Sequence, residues 1–157
     1  MIEIKNIYKK FGKLEVLNNI NLSFKKGECI ALIGPNGCGK TTLIKSILGM
    51  VIPTKGDILF DQKSILKEFE YRENIGYMPQ IGRYPDYMTV GQIIEMIKKI
   101  RNSEQVLDED LIKSFELEKI VDKQMRTLSG GTTQKVSATL AFLFNPEVLI
   151  LGEPTAG

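Results

Sequence analysis

The octapeptide Gly34-Pro35-Asn36-Gly37-Cys38-Gly39-Lys40-Thr41 has the form G-x-x-x-x-G-K-[ST], a spacing that holds phosphates. Glycines let backbone N–H groups converge on phosphate oxygens with no side chain in the way. A helix opening at Lys40 adds its N-terminal donors and a favourable dipole. Lys40 brings a compact positive charge to the β- and γ-phosphates, and Thr41 offers a hydroxyl to Mg²⁺. Cys38 is a small residue whose thiol would lie near those phosphates. The loop follows an apolar run, Cys29-Ile30-Ala31-Leu32-Ile33, which reads as a strand buried on both faces. A nucleotide site follows from this context. No Asn-Lys-x-Asp guanine-reading motif is present in the sequence.

Three further segments narrow the chemistry. Tyr77-Met78-Pro79-Gln80 ends a predicted strand at a glutamine. Leu128-Ser129-Gly130-Gly131-Thr132-Thr133-Gln134-Lys135 sets a serine and two glycines at a helix start. Val148-Leu149-Ile150-Leu151-Gly152-Glu153 is an apolar strand running into a carboxylate. Together and in this order, these segments resemble the ABC ATPase family across essentially the whole chain. The resemblance implies ATP and Mg²⁺ as ligands, with Gly34–Thr41 and Thr42 around the phosphates and Phe11 stacked on the adenine. It implies that Gln80 meets Mg²⁺ together with Thr41, and that Glu153 polarises the attacking water, with Lys40 and Gln80 also in the catalytic set. Leu128, Ser129, Gly130, Gly131, Thr132 and Gln134 resemble the family signature, which contacts the ATP of a second subunit. A head-to-tail dimer and a transmembrane permease are the implied partners. The stretch from Thr132 to Pro146 also resembles the ATPase subunit of the nitrous-oxide reductase maturation system, a subgroup linked to copper-site assembly.

Two features depart from the family. Gly152 stands where the family has an aspartate, so a side-chain acceptor for water or Mg²⁺ is missing. The chain stops at Gly157, where the family continues into its D-loop and a later switch histidine. The expectation is a C-terminally incomplete domain that binds ATP better than it hydrolyses it. The alternatives are a catalytically inactive regulatory module and a soluble ABC-type ATPase of DNA repair or translation. The repair members carry a long coiled coil before the signature, and the translation members carry paired cassettes.

Periodicity supplies the elements that must position these residues. Ile2 and Ile4, then Ile20, Leu22 and Phe24, alternate with polar neighbours and predict two half-buried strands. A helix is predicted from about Lys40 to Leu48, closed by Gly49. Gly56–Phe60 and Ile75–Met78 read as strands. Thr89-Val90-Gly91-Gln92 fits a capping box, followed by Val90, Ile93, Ile97 and Ile100 at helical spacing. Asp108 is placed to cap a helix carrying Leu111, Ile112 and Phe115. Ser129 opens a last helix reaching about Phe144. The fold class is therefore α/β, with a mainly parallel sheet. It is a P-loop NTPase with an N-terminal antiparallel portion and an inserted helical subdomain. Residues of about 1–83 and 129–157 form the nucleotide-binding core, and about 84–128 the insert.

Bulk composition bounds the rest. The chain has 157 residues, 21 basic against 19 acidic, and a net charge of +2. That charge gives no reason to expect a nucleic-acid partner. Histidine is absent, which removes imidazole acid–base chemistry and imidazole metal ligands from this chain. Two cysteines make no disulfide framework. No apolar run approaches the ~20 residues of a membrane span, and Met1–Lys5 has no signal-peptide layout. The expected location is cytoplasmic, peripheral on the inner face of the cell membrane.

Overall fold

The computed structural model describes residues 1–66, 68–101 and 106–152. It divides into two compact units, Met1–Arg72 and Glu73–Gly157. In the first, strands β1 (Ile2–Phe11), β2 (Leu14–Phe24), β3 (Lys55–Phe60) and β4 (Lys63–Ser64) form one sheet in the order β2-β1-β3-β4. Every pairing in it is antiparallel. Ile2, Ile4 and Ile7 of β1 are buried with Ile58 and Phe60 of β3. The step from Ile4 to Ile7 breaks the alternation. Asn6 there has φ +50, and the ladders to β2 and β3 both shift register beside it. On β2 the alternation is weaker than predicted, because Ile20 and Phe24 are half-buried while Leu22 is exposed.

Helix α1 (Lys40–Ile47) buries Leu43, Ser46 and Ile47 at helical spacing. The one polar member of that face is satisfied, since Ser46 Oγ donates to the Thr42 carbonyl at 2.9 Å. Gly49 ends the helix in the left-handed region at φ +67, and its N–H donates to the Ser46 carbonyl. The Tyr71 hydroxyl donates to the Ile47 carbonyl at 3.1 Å and closes that end.

The run Cys29–Ile33 is not the buried strand its composition predicts. No described residue pairs with it, and Ile30, Leu32 and Ile33 are exposed, Ile33 by 91%. A continuous apolar run carries the pattern of a central strand, but a strand exists only through ladder bonds to a neighbour. The sheet of this unit is accordingly antiparallel rather than parallel.

Parallel pairing appears in the second unit, between β5 (Ile75–Met78) and β6 (Val148–Leu151). Parallel strands need a long crossover, and here it carries α2 (Val90–Arg101), α3 (Asp110–Ser114) and α4 (Gly130–Phe142). The capping box forms as the sequence predicts. Thr89 Oγ1 accepts from the Gln92 N–H at 3.2 Å, and Gln92 Oε1 accepts from the Thr89 N–H at 2.9 Å. Val90 and Ile93 are fully buried, whereas Ile100 is 70% exposed, so the apolar stripe leaves the core before α2 ends. Asp108 Oδ1 accepts from the Asp110 N–H at 3.0 Å. Val90, Ile93, Leu117, Met125, Val136 and Leu143 form one buried cluster. Helix α4 lies on β5 at backbone contact, because a Cβ added at Gly76 would overlap the Ala141 carbonyl oxygen.

Leu117 is completely buried in that cluster. Leu117→Ala should lower the unfolding free energy by about 2–5 kcal/mol. Urea denaturation followed by circular dichroism would measure this, and a loss under about 1 kcal/mol would mean the cavity collapses or the site is less packed than described.

Candidate nucleotide site and signature helix

The loop before α1 has the backbone that phosphate binding requires. Gly37 has φ +81 and Gly39 φ +98, both left-handed. Gly39 is also the N-cap of α1 and is buried. A Cβ there would lie 2.8 Å from the Val16 carbonyl oxygen and 3.0 Å from Leu17 Cδ2. Strand β2 thus braces the turn, and only glycine meets both the conformation and the space. At Gly34 a Cβ would meet Cys38 Sγ at 2.7 Å, so the Cys38 side chain occupies the space that glycine leaves open. Lys40 Nζ folds over the loop and donates to the Gly34 carbonyl at 2.5 Å and to Pro35 at 3.0 Å. It lies 4.0 Å from Cys38 Sγ. Pro35, Asn36 and Thr41 are exposed, and Thr42 is half-buried. The helix therefore opens with a cation, an exposed hydroxyl and free N–H donors, an anion-binding arrangement.

Phe11 ends β1 and pairs with Leu14 across the turn into β2. Its ring is 50% exposed, with Lys9 Nζ 5.0 Å from the centroid. An exposed aromatic on the strand pair that braces the phosphate loop is available for stacking on a base.

The remaining predicted residues lie in the second unit. Gln80 is exposed and follows β5 by two residues. Gly152, just past β6, donates its N–H to the Met78 carbonyl at 2.7 Å. A Cβ on Gly152 would run into the Gln80 backbone nitrogen. The position expected to carry a carboxylate is instead a close backbone approach. Glu153 lies outside the described residues. Ser129 caps α4: its Oγ accepts from the Thr132 N–H at 3.2 Å and shares a 2.8 Å bond with Thr132 Oγ1. Leu128 is half-buried against the core cluster, and Gln134 is half-buried one turn into the helix. Gly130 and Gly131 are exposed, and added Cβ atoms would meet nothing within 4 Å. Glycine disfavours helix by about 1 kcal/mol relative to alanine, so nothing among the described residues accounts for the pair.

Residues 17–156 match the ABC transporter family. The chain belongs to that family. A zinc import ATP-binding protein of Rickettsia conorii is 40% identical over 157 residues, 98% of this chain and 62% of that protein. A sulfate/thiosulfate import ATP-binding protein of Pectobacterium atrosepticum is 35% identical over 161 residues, 98% of this chain and 49% of that protein. Among solved structures, an ATP-binding subunit of an ABC transporter superposes with a TM-score of 0.87 at 28% identity, covering 98% of this chain and 66% of that one. The chain thus spans about half to two-thirds of the length of these relatives. Zinc and sulfate are unlike cargoes, so these matches do not single one out.

One contact within the second unit has no counterpart in the sequence reading. Tyr84, after Gln80, shares a 2.8 Å hydrogen bond with Ser137 Oγ of α4. The two are 53 residues apart, and no local pattern joins them. The only sequence signal is that Ser137 and Thr139 are the polar residues in the otherwise apolar second half of α4, Val136 to Phe142. Among the described residues, no helix is long and apolar enough to cross a membrane. None of them forms a cluster of three or more acidic, cysteine or histidine side chains able to hold a metal.

Burial pushes the Tyr84 phenol above its ordinary value of 10.0, with the Ser137 hydrogen bond opposing in part. The folded state thus favours the neutral phenol. Its contribution to stability is full below the ordinary value and is lost as pH rises through the elevated folded value. Stability should therefore fall as alkaline titration passes through that range, and less steeply in Tyr84→Phe. Equal slopes in urea midpoints against pH would show that Tyr84 does not carry the effect.

Proposed function

We propose that this chain is part of the energy-coupling subunit of an ABC transporter, binding ATP at Gly34–Thr41. The observation that carries the reading is the braced left-handed Gly39 immediately before Lys40, which leaves the N-terminus of α1 open to an anion. Pro35, Asn36, Cys38, Thr41 and Thr42 surround the phosphates, and Phe11 stacks on the base. The Lys40 ammonium exchanges the Gly34 and Pro35 carbonyls for phosphate oxygens, a charge-assisted gain. Thr41 and Gln80 offer hard oxygen donors of the kind Mg²⁺ takes alongside phosphates and water. Bound Mg²⁺ would neutralise phosphate charge. Glu153 is the proposed residue that polarises the attacking water.

The signature from Leu128 to Gln134 is proposed to meet the ATP of a second subunit. Gly130 and Gly131 favour this, because their bare surface lets another molecule approach a capped helix N-terminus. A head-to-tail dimer and a transmembrane permease are the proposed partners, at the inner face of the membrane. The small net charge supports no nucleic-acid partner.

The Gly152 approach to the Gln80 backbone favours a second reading, a nucleotide-binding module with little hydrolysis. Glycine supplies no acceptor, and phosphoryl transfer depends on positioning and charge neutralisation. An aspartate there returns the acceptor, with a shift of backbone at position 152 or at Gln80 to admit its Cβ.

Lys40→Ala should weaken MgATP binding by about 10- to 100-fold, the loss of one or two charge-assisted bonds. Calorimetric titration would measure it, and unchanged affinity would remove the assignment. Turnover of this chain should be lower than that of the same chain carrying Gly152→Asp. Equal phosphate-release rates would mean that Gly152 does not limit hydrolysis.

A further inference from the structure

We propose that Tyr84 and Ser137 are positioning residues that tie the Gln80 loop to the signature helix. Through them, a change at Gln80 reaches the N-terminus of α4 within the same chain. The inference rests on the reading of Gln80 and Ser129–Gly131 given above.

The loop from Pro79 to Tyr84 is held at two points. Behind it, the bare Cα of Gly152 packs on the Gln80 nitrogen, and the Gly152 N–H is bonded to Met78. Ahead of it, Gly82 touches α4 so closely that a Cβ would overlap Ser137 Oγ, and the Tyr84 hydroxyl bonds the same Ser137 oxygen. Between these points only Ile81 and Arg83 are exposed alongside Gln80.

Ser137 is unusual on its helix. Thr139, the other buried hydroxyl of α4, turns its hydroxyl back to the Lys135 carbonyl at 2.9 Å. That is the usual way a helix satisfies a buried hydroxyl. Ser137 bonds instead to another element. The link is also short in chain terms. Ser137 sits eight residues from the Ser129 cap on a single helix, and an α-helix transmits displacement along its axis as a near-rigid rod. A part-buried hydroxyl pair has discrete bonded and unbonded arrangements, which makes it able to pass on a change rather than absorb it.

Amide hydrogen exchange with and without MgATP tests this. The chain is used at a concentration where light scattering shows a monomer, so that a partner's nucleotide does not act on α4 directly. Exchange at Thr132–Lys135 should slow by about 10-fold on adding MgATP, a typical coupling magnitude. Tyr84→Phe and Ser137→Ala should bind MgATP with the affinity of the parent chain yet respond by less than about 2-fold. Gln80→Ala should lose the response as well. The proposal is overturned if either hydroxyl variant responds like the parent. It is equally overturned if the parent binds MgATP without any response at α4, or if Gln80→Ala keeps it. A parent chain that binds no MgATP overturns the nucleotide reading itself, a different outcome that calorimetry alone identifies.

Discussion

A triphosphate concentrates negative charge that water solvates well, and a protein competes only by aiming many donors at one place without covering them. In this chain that constraint falls on one peptide turn. Gly39 must be left-handed to swing the loop into α1, and it must lack a side chain because β2 stands against it. The Val16 carbonyl and the Leu17 side chain fix the turn from behind, so the direction of α1 follows from the position of a strand. The antiparallel sheet, with Ile2, Ile4 and Ile7 in its core, holds that strand in place. Lys40, folded onto the Gly34 and Pro35 carbonyls, is stored beside the point where it would act.

The second unit applies the same device differently. The N-terminus of α4 is capped by Ser129, so one orphan donor is already spent, and two glycines leave the remaining first turn uncovered. The loop before α1 curves around a space suited to an anion, whereas the start of α4 presents an exposed, accessible helix end. These two geometries suit a ligand gripped by one surface and touched by another.

Features that depend on neighbours in sequence were legible from the sequence. The Thr89–Gln92 capping box, the Ser129 cap and the Gly49 helix stop all rest on contacts within four residues, and each forms as read. The Cys29–Ile33 run failed because its strand character depends on a partner, not on its own residues. Ile100 failed more mildly, since a periodic stripe says which side of a helix is apolar but not how far the core extends. Gly152 read as a lost carboxylate, and the structure adds that its Cα is pressed against Gln80. Tyr84 and Ser137 were invisible because 53 residues separate them.

The contact between Gly76 and Ala141 has a mechanical consequence. Most helices rest on sheets through interlocking side chains, which take up small displacements by changing rotamer. Here the helix backbone lies on the strand backbone with nothing compressible between. A movement of the segment leading into Gln80 and a movement of α4 therefore cannot be independent. At that point the second unit behaves as a lever with no slack.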